Sequence, residues 1–313
     1  MLERLTERLR RTGRNDGFII VAVLWILAAL ATLAAVIAVY VINTATAFAV
    51  HDERVQAEGL TRAAIELSLY NIVRDAEQPP SRGAFVFRMG NANVATEFNS
   101  ELARIDLNAA SKQLLAGLFV GLGAPAQAAD SYADRILGWR STPVADGPDE
   151  SALYRTAGLS YSPRGAPFQH VAELGLVMGI PEVLVERAAP YLTVYSGQGQ
   201  INILDAAPQV IAALPGMNPG LLNEILVRRA RGGRQNAEQI LALLGPVQQA
   251  GAISGSKAIR VTARIAFDSG QRVTSEVVIF ILDGSGSEAY RIMTWRDDLD
   301  DAPADQRNRI VTR

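Results

Sequence analysis

The residue types that carry most protein chemistry are sparse in this chain. His51 and His170 are its only histidines, and it has no cysteine. A zinc centre draws several His or Cys ligands from close spacings, and a serine triad needs a histidine inside a pocket. Neither pattern is present, and without cysteine neither disulfides nor thiolate chemistry is open to the fold. Ser254-Gly255-Ser256-Lys257 has the Ser-x-x-Lys spacing that pairs a nucleophile with a base. It lacks the companion motifs of penicillin-binding enzymes and reads as a Gly/Ser-rich turn. His170 reads as a helix-start residue packing beside Phe168. No catalytic residue is assigned.

The charged clusters are more informative. With 30 basic and 32 acidic residues the net charge is -2, so no global attraction to nucleic acid or anionic lipid exists and a polyanion would need a local patch. One candidate patch follows Leu214-Pro215-Gly216-Met217-Asn218-Pro219-Gly220, which is close to a helix-hairpin-helix element. Such an element offers backbone N–H groups to phosphate at the start of its second helix. Gly216 and Gly220 would make that approach, and Arg228, Arg229, Arg231 and Arg234 would supply counterion-releasing contacts. A membrane-anchored DNA-binding protein of the DNA-uptake type is therefore the alternative reading. Against it, Asn218 stands in the place of the second glycine, and a hairpin that only packs helices explains the pattern better.

Three kinds of element carry these groups. From Phe18 to Ile42 the chain is apolar and free of charge, behind a leader with Arg4, Arg8, Arg10, Arg11 and Arg14. About 20 apolar residues at ~1.5 Å rise each cross a hydrocarbon core of ~30 Å. The run exceeds the apolar region of a signal peptide, although Ala45, Ala47 and Ala49 resemble a cleavage site. The basic leader predicts a cytoplasmic N-terminus, with the remainder across the membrane. The helical pattern continues through Leu60, Ala63, Ala64 and Leu67, and the first proline after the span is Pro79. One helix from Phe18 to about Glu77, roughly 90 Å long, is predicted, with a possible bend at Gly59.

Strands are predicted at Ala84–Phe87 and Leu102–Leu107 around a Gly90-Asn91 turn. Further strands at Ile259–Phe267, Arg272–Leu282 and Ala289–Trp295 are joined by Asp268-Ser269-Gly270 and Asp283-Gly284-Ser285-Gly286. Between them the pattern is helical and repeats. Arg104-Ile105-Asp106-Leu107-Asn108-Ala109-Ala110-Ser111 leads into Leu114-Leu115, and Gln200-Ile201-Asn202-Ile203-Leu204-Asp205-Ala206-Ala207-Pro208 leads into Val210-Ile211. Each extended piece ends in Asp or Asn as a candidate helix cap, and second helices are predicted at Asp130–Trp139 and Gly220–Ala230. The fold class is thus α+β: a long N-terminal helix, an antiparallel sheet, and an inserted all-helical domain of two helix-hairpin-helix-like (SAM-like) repeats. The expected divisions are 1–17, a leader; 18–77, the helix; 78–107 with 247–296, the sheet; 108–246, the insertion; and 297–313, a polar tail.

Taken together, Gly17-Phe18 before a long apolar helix, Ile105-Asp106-Leu107-Asn108-Ala109-Ala110, Pro167-Phe168 with Glu173-Leu174 and Gly179, Pro190-Tyr191-Leu192-Thr193-Val194-Tyr195, and Ile201-Asn202 through Leu214-Pro215-Gly216-Met217 resemble the minor pseudopilin K family of type II secretion. The resemblance implies cleavage after Gly17 by a prepilin peptidase, methylation of Phe18, and a tether in the bacterial inner membrane with the C-terminal domain in the periplasm. It also implies assembly with minor pseudopilins I and J and with the major pseudopilin. Prepilins usually place Glu at the fifth mature position, and this family lacks it; here the position is Ala22. The role implied is capping a pseudopilus tip in protein export, without catalysis. Relatives often carry an acidic stretch after the tryptophan of the first hairpin, suited to Ca²⁺. Trp139-Arg140-Ser141-Thr142-Pro143 has no acid, and Asp146, Asp149 and Glu150 come only later. No metal or cofactor is expected, calcium being the one candidate, and Asp297, Asp298, Asp300 and Asp301 read as a soluble tail.

Overall fold

A single helix, α1 (Asp16–Val73), carries the chain from the apolar run into the folded part. The computed structural model describes residues 16–74, 79–142, 149–232, 235–282 and 288–300. Most of the leader, the 283–286 turn, Asp146, Arg234 and the end of the tail lie outside them. Two units make up the chain, Met1–Gly59 and Leu60–Arg313, and the division falls inside α1.

In the second unit α1 turns Leu60, Ala64, Ile65, Leu69 and Ile72 inward, while Leu67 is exposed. Two apolar stripes share Leu60 and Ala64, and the sheet covers the one that continues through Ile65 and Leu69. Leu67, which the stripe of Leu60, Ala63 and Ala64 would place on a packed face, stays outside the sheet for that reason. Beneath the helix lies a five-stranded antiparallel sheet in the order β1 (Arg82–Met89), β2 (Ala92–Ser100), β7 (Ala258–Phe267), β8 (Arg272–Ile281) and β9 (Tyr290–Asp300). Strands β1 (Arg82–Met89) and β2 (Ala92–Ser100) turn at Gly90, whose φ of 59° is left-handed and suits glycine. Strand β2 went unread because its inward residues Ala92, Val94, Thr96, Phe98 and Ser100 are largely small or polar. The strand expected at Leu102–Leu107 is instead a 3-10 turn, Glu101–Ala103, followed by a two-residue strand β3 (Ile105–Asp106).

The helical part then runs through α2 (Lys112–Gly121), α3 (Ala126–Arg140), α4 (Glu150–Thr156), α5 (Glu182–Ala188), β4 (Leu192–Thr193), β5 (Ile201–Asn202), α6 (Pro208–Ala212), α7 (Pro219–Ala230), α8 (Ala237–Ala242) and β6 (Gly251–Ala252). Two stretches of this part share local features. Strand β3 pairs in parallel with β4, and β5 pairs in parallel with β6. After each first strand the amide of the residue two on donates to a side chain, Asn108 N to Asp106 Oδ1 at 2.7 Å and Leu204 N to Asn202 Oδ1 at 2.9 Å. These side chains close turns and do not cap helices. Ser111 caps α2 by accepting from Leu114 N at 3.3 Å, whereas the N-cap of α6 is Ala207, which has no side-chain acceptor, and the helix opens on Pro208, favoured at a first position.

The two repeats face each other. Helix α2 lies against α6, and a Cβ added to Gly117 would stand 2.3 Å from the carbonyl oxygen of Ala213. That neighbour is backbone and cannot rotate away. Gly117→Ala is expected to destabilise the fold by about 1–3 kcal/mol through overpacking. Gly121→Ala in the same helix, where nothing lies within 4 Å, should be neutral or stabilising. Thermal unfolding of the two variants in parallel checks this; equal melting temperatures would remove the close approach as a constraint.

The chain returns to the sheet at β7 (Ala258–Phe267), continues through β8 (Arg272–Ile281), and ends in β9 (Tyr290–Asp300). The three C-terminal strands match the sequence expectation, except that β9 passes beyond Trp295. Asp297 is held in it, accepting from Ser275 Oγ at 2.6 Å and Trp295 Nε1 at 2.7 Å. Asp297, Asp298 and Asp300 therefore belong to a strand and not to a tail. Where the chain leaves β2 and where it rejoins the sheet are neighbours: Ser100 pairs with Ile259 in register, and Ser256 N donates to Ser100 Oγ at 2.8 Å. The sheet core is Ile65, Leu69, Ile72, Phe98, Ile259, Val261, Val277 and Ile279, and a larger core fills the helical part.

Candidate functional site

Within the first unit the feature that sets this chain apart is what α1 leaves uncovered. Phe18–Val41 is 24 residues long with none of its length buried, and it is the one helix among the described residues long and apolar enough to cross a membrane. Phe18 is 77% exposed and Trp25 74%. A continuous apolar surface of this size needs a lipid or protein environment. The hydroxyl of Thr32 within it is satisfied locally, its Oγ1 donating to the Ala29 carbonyl at 2.8 Å. Gly17 and Phe18 sit in the first turns of α1, and Ala22, one turn on, puts no carboxylate on the helix.

The hairpin before α7 has some of the geometry expected of it. Gly216 has a φ of 72°, and Asn218 caps α7 by accepting from Leu221 N at 3.0 Å, with Gly220 at the second helical position. The arginines behave differently. Arg228 Nη2 donates to Glu224 Oε1 at 2.6 Å, one turn back. Arg229 is turned inward, its Nη1 donating to the Ala206 carbonyl at 2.7 Å, and burial lowers its pKa against the attraction of Asp205. Arg140 does the same in the first repeat, donating to the Leu107 and Ala110 carbonyls. An arginine in the last turn of each second helix thus ties down the turn that opens its own repeat.

The acidic candidates are also engaged within the fold. Asp149 caps α4 through Ala152 N at 3.0 Å and pairs with Arg155. Glu150 lies 2.8 Å from Arg135 Nη1; burial, the larger influence, raises its pKa despite that partner. Among the described residues no group of three or more His, Asp or Glu is placed to hold a metal. His170 precedes the 3-10 turn Val171–Leu176 and is exposed. Phe168 beside it is buried against Trp139 with ring centroids 6.0 Å apart. Asn108 holds it there, donating to the Phe168 carbonyl at 2.9 Å and accepting from Phe168 N at 2.7 Å. The His51 side chain lies outside the described groups. Ser254 and Lys257 line a cavity of about 640 Å³ together with Ile72, Pro80 and Ile253.

Sequence reasoning missed the cluster that joins sheet to helices. Glu101 is 1% exposed; its Oε1 accepts from Arg260 Nε at 2.7 Å and its Oε2 from Arg260 Nη2 at 2.9 Å and from Thr193 Oγ1 of β4. Arg260 also pairs with Glu276. Burial opposes the charge on Arg260, but the hydrogen bonds and charges of Glu101 and Glu276 together outweigh it and raise its pKa. Arg104 nearby is lowered by burial and by Arg260. One signal was available: the Asp268-Ser269-Gly270 turn fixes the β7–β8 register, which sets Thr262 opposite Glu276 and so brings Arg260 diagonal to it.

Residues 91–197 match the family model described as Type II secretion system (T2SS), protein K. That span runs from β2 to the close of the first repeat, where Asp106 Oδ2 accepts from Gly197 N at 2.8 Å. Among solved structures the chain resembles one in the crystal structure of the GspK-GspI-GspJ complex from the enterotoxigenic Escherichia coli Type 2 Secretion System, at 17% identity and a TM-score of 0.57. The likeness covers 80% of this chain and 98% of that one, and at this identity it speaks for the fold. No curated protein matches the sequence.

Proposed function

We propose that this chain, whose residues 91–197 match type II secretion system protein K, is a minor pseudopilin that works by assembly and without catalysis. One observation carries the reading. The same chain joins a segment of protein K type to an N-terminal helix whose Phe18–Val41 surface is apolar, charge-free and uncovered. Such a surface serves first as an inner-membrane tether and then, once the leader is removed after Gly17, as a packing face between filament subunits. The C-terminal domain faces the periplasm, because the arginine-rich leader stays in the cytoplasm.

The partners are minor pseudopilins I and J, by analogy with the complex in which the structural relative was crystallised, with the major pseudopilin below them. A subunit at the tip receives no neighbour above it, and Ala22 suits that place. A buried carboxylate at this position would need the amino terminus of an adjacent subunit as its partner. The DNA-binding alternative is not favoured, since Arg228 and Arg229 are held by Glu224 and the Ala206 carbonyl.

Mass measurement of the mature chain tests the reading. It should begin at N-methylated Phe18, and Gly17→Val should leave the leader attached and lower export at least tenfold. A mature chain that keeps Met1, or one cut among Ala45–Ala49, would overturn the assignment.

A further inference from the structure

The two edges of the sheet are not equally protected. At one, β9 carries Arg291, Arg296, Asp297 and Asp298, and its pairing with β8 is broken by an irregularity at Val278/Ile279. Charges and bulges of this kind blunt an edge against further strands. At the other, β1 is eight residues in unbroken register with β2 and has the sequence Arg-Gly-Ala-Phe-Val-Phe-Arg-Met. Among the described residues no hydrogen bond is made to its outer edge. Val86 is 73% exposed on one face and Met89 54% on the other, with Phe85 and Phe87 stacked 6.2 Å apart on the same face as Met89. A long, regular, apolar and uncovered edge strand is a template for another strand.

Its charges choose the occupant. Arg82 and Arg88 flank the apolar centre on the face that carries Val86, and β1 has no acid. Arg82 is exposed and makes no ion pair among the described residues, and Arg88 leans on Asp268 at 2.7 Å. A second copy pairing antiparallel about Val86 would bring each Arg88 diagonal to the other copy's Arg82, which like-charge repulsion opposes. We propose that β1 is a docking edge for an extended segment of another polypeptide, one with alternating apolar residues and carboxylates at its ends. The segment would extend the sheet by a sixth strand.

The test uses the full chain in detergent micelles and a blocked, fluorescein-labelled peptide alternating Val and Thr with Asp at both ends, against its twin with Lys at both ends. The acidic peptide should bind at least tenfold tighter by anisotropy, and at saturation should slow amide exchange across Arg82–Met89 at least tenfold. Arg82→Glu, a change at an exposed side chain, should reduce the preference at least fivefold. Equal binding of the two peptides, or protection confined to other strands, would overturn the proposal. So would light scattering that shows a dimer lost in Val86→Lys, because the edge would then belong to a second copy.

Discussion

Glu101→Ala is expected to lower the stability of the folded unit by about 3–5 kcal/mol, the usual loss when one partner of a buried ion pair is removed. At roughly 2–4 °C per kcal/mol for a unit of this size, the melting temperature should fall by about 6–20 °C. The magnitude follows from what is left behind. Arg260 would keep only Glu276, and Arg104, whose pKa burial and then repulsion from Arg260 already lower, would lose the attraction of Glu101 that offsets them. Thr193 Oγ1 would lose its acceptor as well, so the ladder of β3 and β4 would come loose from the sheet at the same point. Replacing Glu101 by Leu together with Arg260 by Met should recover most of the loss, since the two buried charges leave together and Arg104 is relieved of the repulsion from Arg260 while keeping the attraction of Glu276. Chemical denaturation of the single and double variants decides the matter. A single variant within 1 kcal/mol of the parent would show that the cluster does not hold the two parts together.

Asp106→Asn should cost about 2–4 kcal/mol although the side chains have the same shape. The carboxylate is buried and accepts from Asn108 N at one oxygen, and from Ser196 Oγ at 2.9 Å and Gly197 N at 2.8 Å at the other. An amide keeps one acceptor and turns two donors against two others. The second repeat holds the opposite case. Asn202 accepts from Leu204 N through Oδ1, while its Nδ2 donates to Asp205 Oδ2 at 3.0 Å and to the Ser254 carbonyl at 3.2 Å. Asn202→Asp would set a carboxylate against an oxygen of each and should lose a comparable amount. Denaturation midpoints for both exchanges check this, and tolerance of either one would mean that the surrounding donors and acceptors do not choose between acid and amide.

These side chains mark the border of what the sequence reveals. The apolar run of α1 and the alternation in β7 and β8 come from patterns complete within a few turns or residues, and each was legible. A shared local turn was legible too, because Ile105-Asp106 and Ile201-Asn202 are each followed by a residue whose amide turns back on the Asp or Asn side chain. Strand β2 was hidden by Thr96 and Ser100 on its inner face, and Leu67 by two stripes that share residues. The apolar span that starts at Phe18 lay in plain view, since its length and lack of charge are read from composition. The inward aim of Arg229 was not, because it depends on a carbonyl in another turn of the chain. The Glu101 cluster needs three contributions from distant parts of the sequence, and only the register of the finished sheet assembles them.

Ser100 and Ser256 clasp the two feet of a long excursion, so β2 and β7 stay zipped whatever the chain does between them. Once its ends are pinned, lengthening a loop is thermodynamically mild, each doubling adding about 0.6 kcal/mol. Strands β2 and β7 therefore pair as the arms of a hairpin would, with the helical part as their connection. Shortening that connection to a tight turn across the two serines is expected to leave the strands beneath in the same register.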